Sequence, residues 1–353
     1  MKYLRLASLS LLLALAGCDD DSPADGGFPP GADAGVAGDA GGGGDSDAGG
    51  ADVDGGGDDD GGPGPTDAGP PGADPTMDGP FAVSTMEDSI ERDGRTTPIT
   101  AHVPDGEGPY PLVLFLPGFQ LDSERYAELC DRVASHGYVV ARADPPASLV
   151  GVSHVAMRDD AIAVLDWAAG ELPVSGDVGL MGHSLGGKVS TMVAGMRPDV
   201  GALLGIDPVN GGNPFSGYSD DLPDIVPEVT QTLTMPVGYL GETTNSMGGI
   251  GGMACAPADQ NYVTFYDGST MAPWAAEWTF EGADHMDFVS DTMGCGFTCS
   301  ACTDGSAEQA DVLAGTYTLA VAFFERHLRG RADVEGYLTG AMVPSGVTAR
   351  SRP

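Results

Sequence analysis

The stretch GLMGHSLGGKVS, residues 179–190, constrains the fold of this chain more than any other. An apolar run meets Gly182-His183-Ser184-Leu185-Gly186 and passes directly into a helix-compatible segment. The chain must therefore go from strand to helix through one sharp turn. A side chain at Gly182 or Gly186 would collide with the neighbouring strand or helix once the turn tightens enough to lift Ser184 clear of the sheet. Around it, from residue 81 onward, apolar runs alternate with helical patterns. This predicts one α/β domain over residues 81–353, with a mostly parallel central sheet flanked by helices. FAVSTM, TPITAHV, PLVLFLPG, YVVARAD, DVGLM, GALLGID, MPVGYLG and AAEWTF read as strands. The intervening amphipathic segments read as helices, the first capped by Asp122 and the last over residues 307–328.

The chain before residue 81 cannot join that core. MKYLRLASLSLLLALAGC has two early basic residues and an apolar stretch too short to span a bilayer, which reads as an export signal. Its ending, Leu15-Ala16-Gly17-Cys18, resembles a bacterial lipobox, with Cys18 as the lipidated first residue of the mature chain. Residues 19–80 are almost entirely Gly, Asp, Ala and Pro, without Lys or Arg. Low hydrophobicity with charge of one sign predicts a disordered tether reaching on the order of 40–50 Å. Its Asp runs lack the fixed Gly and terminal Glu of a calcium loop, so no metal site and no cofactor is expected. The expected location is outside the cytoplasm, lipid-anchored to the cell envelope.

With 52 acidic against 15 basic residues, the net charge of −37 makes nucleic acid and anionic membrane surfaces poor partners. Contact with a membrane is expected through the lipid alone, and the domain is expected to act as a monomer. Setting Cys18 aside leaves an odd number of cysteines in an oxidising setting. Cys255, Cys295, Cys299 and Cys302 are the disulfide candidates. The C-x3-C-x2-C spacing of the last three could suggest a metal, but their place just beyond a candidate catalytic histidine favours bridges that stiffen that loop. Cys130, on a helix face, is the expected free thiol.

Ser184 needs a base to take its proton and an acid to hold that base in the right tautomer. His285, in FEGADHMDF after the last strand, is the expected base among six histidines. His183 is expected to pack or hydrogen-bond beneath the turn. His102, His136, His154 and His327 read as ordinary surface polar residues, and Asp284 and Asp287 as loop caps. For the acid, Asp207 ends the strand after the Ser184 helix and is preferred; Glu242, after the next strand, is the alternative. The backbone N–H groups of Leu185 and Phe119 are placed to receive an oxyanion.

These segments resemble the chlorophyllase-like branch of the α/β-hydrolases over nearly all of the domain. LFLPGFQLDSERYAELCDRVASHGYVV, GHSLGGK, GIDPVNGG, MPVGYLGE, CAPADQNYVTFYD and GADHMDF carry the likeness, in order. The resemblance implies the α/β-hydrolase fold and a Ser184, Asp207, His285 triad, the aspartate of the IDPV motif being the family's acid. Chlorophyllases usually carry arginine where Leu185 stands and histidine where Pro117 stands. On those two points, and in the ASHG helix, the chain is similar to bacterial cutinases and polyester hydrolases. The expected activity is serine carboxylic-ester hydrolysis on an external lipid-like or polymeric ester. Acyl transfer at the same site and a non-catalytic surface-binding lipoprotein are the competing readings. The loops over residues 208–234 and 243–260 are expected to cover the site.

Overall fold

The computed structural model describes residues 73–147, 151–213, 216–249, 254–295 and 299–353. The expected lipobox with Cys18 and the expected tether as far as residue 72 lie outside the described residues. Strands β1 (Val83–Arg92), β2 (Arg95–Pro104), β3 (Tyr110–Leu116), β4 (Val139–Ala143), β5 (Val174–His183), β6 (Val200–Ile206), β7 (Val237–Glu242), β8 (Ala275–Phe280) and β9 (Val347–Arg352) form one sheet in the order β1-β2-β4-β3-β5-β6-β7-β8-β9. Strands β3 to β8 run parallel, while β1, β2 and β9 supply antiparallel edges. Every residue of β3 and β7 is buried, as parallel strands covered on both faces require.

Helices α1 (Ala127–Ser135), α2 (His154–Glu171), α3 (Leu185–Ala194), α4 (Tyr262–Gly268), α5 (Gln309–His327) and α6 (Glu335–Thr339) cover the sheet. The alternation of β3 divides the core between its faces. Leu112, Leu114 and Leu116 pack with α2, α3 and α4, whereas Val113 and Phe115 pack with α1 and α5. Because the chain leaves β3 for β4 on one side and later returns to β5 on the other, the order reverses between β3 and β5. The crevice opened at such a reversal, beyond the strands' C-terminal ends, is where α/β sheets bind ligands.

Several local expectations change. Asp122 precedes a 3-10 turn, Ser123–Tyr126, and makes no side-chain cap. Asp144, at the end of β4, accepts instead from Ser123 N–H (2.6 Å) and Oγ (2.7 Å), so the turn is tied to the sheet rather than to its own start. Composition assigns residues 73–80 to the tether, yet they lie on the domain: Gly79 N–H donates to Ser135 Oγ at 2.8 Å, and Arg132 pairs with Asp78. His102, His136 and His154 are buried rather than on the surface. Burial lowers the pKa of each, which keeps them neutral as parts of the packing. Among the described residues no helix is long and apolar enough to cross a membrane, and no cluster of metal-ligating side chains occurs.

Candidate active site

The register of the sheet brings the predicted residues together. Leu116 is aligned with Gly182, His183 with Ile206, Ile206 with Leu240, and Glu242 with Phe280. The segments that continue past these pairs therefore emerge side by side, carrying Phe119, Ser184, Asp207, Glu242 and His285.

The turn at Ser184 is as tight as its glycines demand. A Cβ on Gly182 would lie 2.5 Å from the Gly186 carbonyl carbon, and one on Gly186 would lie 2.0 Å from the Leu116 oxygen. Ser184 itself takes φ +53° and ψ −119°, a conformation that costs a non-glycine residue of order 1–3 kcal/mol and that surrounding structure must impose. Its N–H donates to the Ile206 carbonyl at 3.0 Å, and its own carbonyl accepts from Lys188 and Val209. Gln120 (φ +57°) and Asp207 (φ +40°) also have positive φ, so among the described residues three of the four such non-glycine residues sit at this edge of the sheet. Strain concentrated at one edge marks the place where precise positioning outweighs local stability.

Ser184 Oγ stands 2.9 Å from His285 Nε2, and His285 Nδ1 stands 2.6 Å from Asp207 Oδ2. With Nδ1–H donating to the carboxylate, Nε2 is free to accept the serine proton. Burial disfavours the imidazolium, but the Asp207 hydrogen bond and charge outweigh it and raise the His285 pKa above its usual 6.5. Neither Phe119 N–H nor Leu185 N–H has a hydrogen-bond acceptor among the described residues. Leu185 opens α3, whose first N–H groups have no intrahelical partner, and a Cβ on Gly118, next to Phe119, would lie 3.4 Å from Ser184 Cβ. The two free donors thus flank the serine.

A support that the sequence only half disclosed lies beneath. The Tyr126 hydroxyl donates to His183 Nδ1 at 2.7 Å, and His183 Nε2–H donates to the His285 carbonyl at 3.0 Å. Burial, then the nearby His285 charge, push the His183 pKa far down, which fixes it as the neutral tautomer that this relay needs. Asn245, which sequence reasoning passed over, accepts the His285 N–H at 2.8 Å and donates to Thr303 O at 2.8 Å. No sequence pattern announces it beyond its closeness to Glu242. Glu242 does not reach His285; its Oε2 accepts from Thr244 and Asn245 N–H. Asp284 and Asp287 cap their loop, accepting from Met286, Gly305 and Asp284 N–H.

The two loops expected to cover the site meet where Asn210 N–H donates to Gln260 O at 2.7 Å, and the buried Lys188 holds the first through Gly211 O at 2.8 Å. Disulfides join Cys255 to Cys302 and Cys295 to Cys299, and Cys130 is a buried free thiol. The first bridge spans 47 residues and ties the second covering loop to the segment beyond His285. Cys255→Ser together with Cys302→Ser is expected to cost roughly 2–4 kcal/mol. A thermal melt unchanged by the double substitution would contradict that.

A cavity of about 240 Å³ lies next to Gly118, with Pro117, Leu121 and Met157 on its apolar side and Gln120, Asp122 and Asp144 on its polar side. A larger one, about 430 Å³, lies against Cys295 and Cys299 and is bordered by Asp284 and Met286; the lining of neither cavity includes Ser184 or Phe119. The smaller approaches the candidate nucleophile through Gly118, and the larger approaches the candidate base through Asp284 and Met286.

The chlorophyllase family profile matches residues 77–339. The chain belongs to the chlorophyllase family. It is 30% identical over 271 residues to chlorophyllase-1 of Arabidopsis thaliana, covering 69% of this chain and 80% of that protein. Against chlorophyllase-1 of Citrus sinensis the identity is 26% over 254 residues, 67% of this chain and 74% of that one. The chain is also 29% identical over 185 residues to a bis(hydroxyethyl) terephthalate hydrolase of Streptomyces coelicolor, about half of each protein. The sheet order and flanking helices are those of the α/β-hydrolase fold of this family.

Proposed function

We propose that this chlorophyllase-family hydrolase is a serine carboxylic-ester hydrolase working through an acyl-enzyme. The observation that carries the reading is the hydrogen-bonded series from Ser184 Oγ through His285 to Asp207 at a strained strand-to-helix turn. Ser184 Oγ attacks the ester carbonyl carbon while His285 Nε2 takes its proton, and Asp207 stabilises the resulting imidazolium. The oxyanion receives the Phe119 and Leu185 N–H groups. Collapse of the tetrahedral intermediate breaks the carbon–oxygen bond to the alcohol, which leaves with the proton from His285. Water, deprotonated by the same Nε2, then cleaves the acyl-enzyme and restores Ser184.

The substrate is an external ester of lipid-like or polymeric character. Pro117, Leu121 and Met157 offer an apolar side to an acyl or aryl group, and the acidic Asp122 and Asp144 on the same cavity disfavour an anionic one. The relative named for bis(hydroxyethyl) terephthalate supports the same class. Export and a lipid on Cys18 would hold the enzyme at the cell envelope on its acidic tether. Labelling of cells with a clickable fatty acid should mark the protein and fail for Cys18→Ser; equal labelling would remove the anchor.

Hydrolysis of p-nitrophenyl esters of graded chain length by the full chain tests the activity, with product analysis in the presence of an added alcohol. Release of free acid supports hydrolysis, and predominant transfer to the alcohol would replace it with acyl transfer. A folded protein without activity on any ester would leave a binding role.

A further inference from the structure

The site holds one carboxyl group more than the mechanism uses. Glu242 ends β7 and is buried; Asp207 follows β6, the neighbouring strand, and its N–H donates to the Leu240 carbonyl at 2.8 Å. Each carboxyl has one engaged oxygen: Asp207 Oδ2 takes the His285 Nδ1–H, and Glu242 Oε2 takes two backbone N–H groups. Each also has one buried oxygen with no partner among the described residues, Asp207 Oδ1 and Glu242 Oε1. Two bare carboxylate oxygens at adjacent buried strand ends would be costly twice over, by lost hydrogen bonds and by like-charge repulsion. A single proton between them removes both costs.

The surroundings decide which group carries it. Asp207 faces His285, whose imidazolium it must balance. Glu242 is faced by Asp207 from β6, by His285 beyond β8, and by Tyr262 from α4, whose hydroxyl pairs with Thr279 at 2.8 Å. Asp284 acts on Asp207 and His285 from the same loop. No Lys or Arg among the described residues pairs with Glu242.

We propose that below neutral pH Glu242 is protonated and donates its hydroxyl to Asp207 Oδ1, locking the carboxylate that orients His285 and keeping a second negative charge out of the site. Burial, then the Asp207 charge, push the Glu242 pKa up to about 7, which agrees. Glu242 is a positioning residue, since it touches neither ester nor Ser184. The inference rests on the esterase reading above.

The sign of the pH effect follows. Below about pH 7 Glu242 is neutral; as pH rises through that value it ionises and favours the imidazolium, so His285 keeps its proton to higher pH. The acid limb of kcat/KM in the native enzyme should therefore be broad, two coupled protons leaving in overlapping steps.

Glu242→Gln keeps an amide donor for Asp207 Oδ1 and an acceptor for the two N–H groups. It is expected to retain plateau kcat within about threefold. Its acid limb should sharpen to one ionisation and move down by roughly half to one pH unit. At about pH 6.5, where Glu242 still carries its proton, Glu242→Leu removes the donor and should lower kcat by about tenfold or more relative to the native enzyme at that pH, with KM little changed. A Glu242→Gln limb identical to the native one, or a glutamine variant as impaired as the leucine variant, would overturn the proposal.

Infrared difference spectra give a reading independent of turnover. In native-minus-Glu242→Gln difference spectra at about pH 6.5, in the native and the Ser184→Ala background alike, a protonated-carboxyl stretch should appear and should vanish by about pH 9, so that Asp287 and the exposed carboxyls cancel. Normal esterase activity without that band defeats this inference alone. The band without any esterase activity defeats the esterase reading and leaves the carboxyl pair standing.

Discussion

Ser184→Ala is expected to lower kcat/KM on p-nitrophenyl esters by about four to six orders of magnitude, as loss of a triad nucleophile does. The alanine removes the atom that would form the proposed acyl-enzyme and leaves the Phe119 and Leu185 N–H groups and the cavity beside Gly118 in place. Residual rate above water should persist from those donors alone. Ser184 Oγ bonds only to His285 among the described residues, so stability should change by less than about 1 kcal/mol. The assay must therefore be read beside a thermal melt. A variant that melts like the native protein and keeps a tenth of its activity would exclude Ser184 as nucleophile.

Asp207→Asn is the second large effect, with kcat expected to fall about 10⁴-fold. The asparagine is nearly isosteric, and the loss comes from chemistry rather than from packing. Its amide can donate to His285 Nδ1, and the ring then turns its N–H toward Ser184 as the wrong tautomer. Even in the right tautomer, the imidazolium lacks its counter-charge in a fully buried setting. The comparison with Glu242→Gln discriminates between the two acids that the sequence offers. If Asp207 is the acid, its amide variant is far worse than that of Glu242; the reverse order would return the role to Glu242.

Much of the site was legible because its chemistry is local. Gly182 and Gly186 announce a turn that only a strand-to-helix junction requires, and the structure gives the contacts that forbid any side chain there. His285 and Asp207 were readable from their positions after successive strands, since parallel topology sends every such position to one edge. Long-range burial was not legible. His102, His136 and His154 carry no mark of the packing that hides them, and the Tyr126–His183 bond joins residues 57 apart. Glu242 was visible as a candidate acid, but its partnerless oxygen depends on where neighbouring strands end. Asp122 looked like a cap because aspartate before a helix usually is one; the Asp144 side chain took over the Ser123 donors.

Strand β9 also escaped the sequence, because VTARSR shows no apolar alternation and its residues are mainly exposed. It nonetheless covers the open side of β8, from Ala275↔Arg352 to Phe280↔Val347, with Arg350 bridging to Glu277 and Arg352 lying over the Tyr266 ring. The segment shared with the family stops at residue 339. A fragment trimmed to that shared segment would keep every residue of the proposed chemistry and lose this cover. The row of backbone donors and acceptors on β8, the strand leading to His285, would then be open to a second molecule. The trimmed protein would meet its difficulty in solubility, at a border set only by where the family match ends.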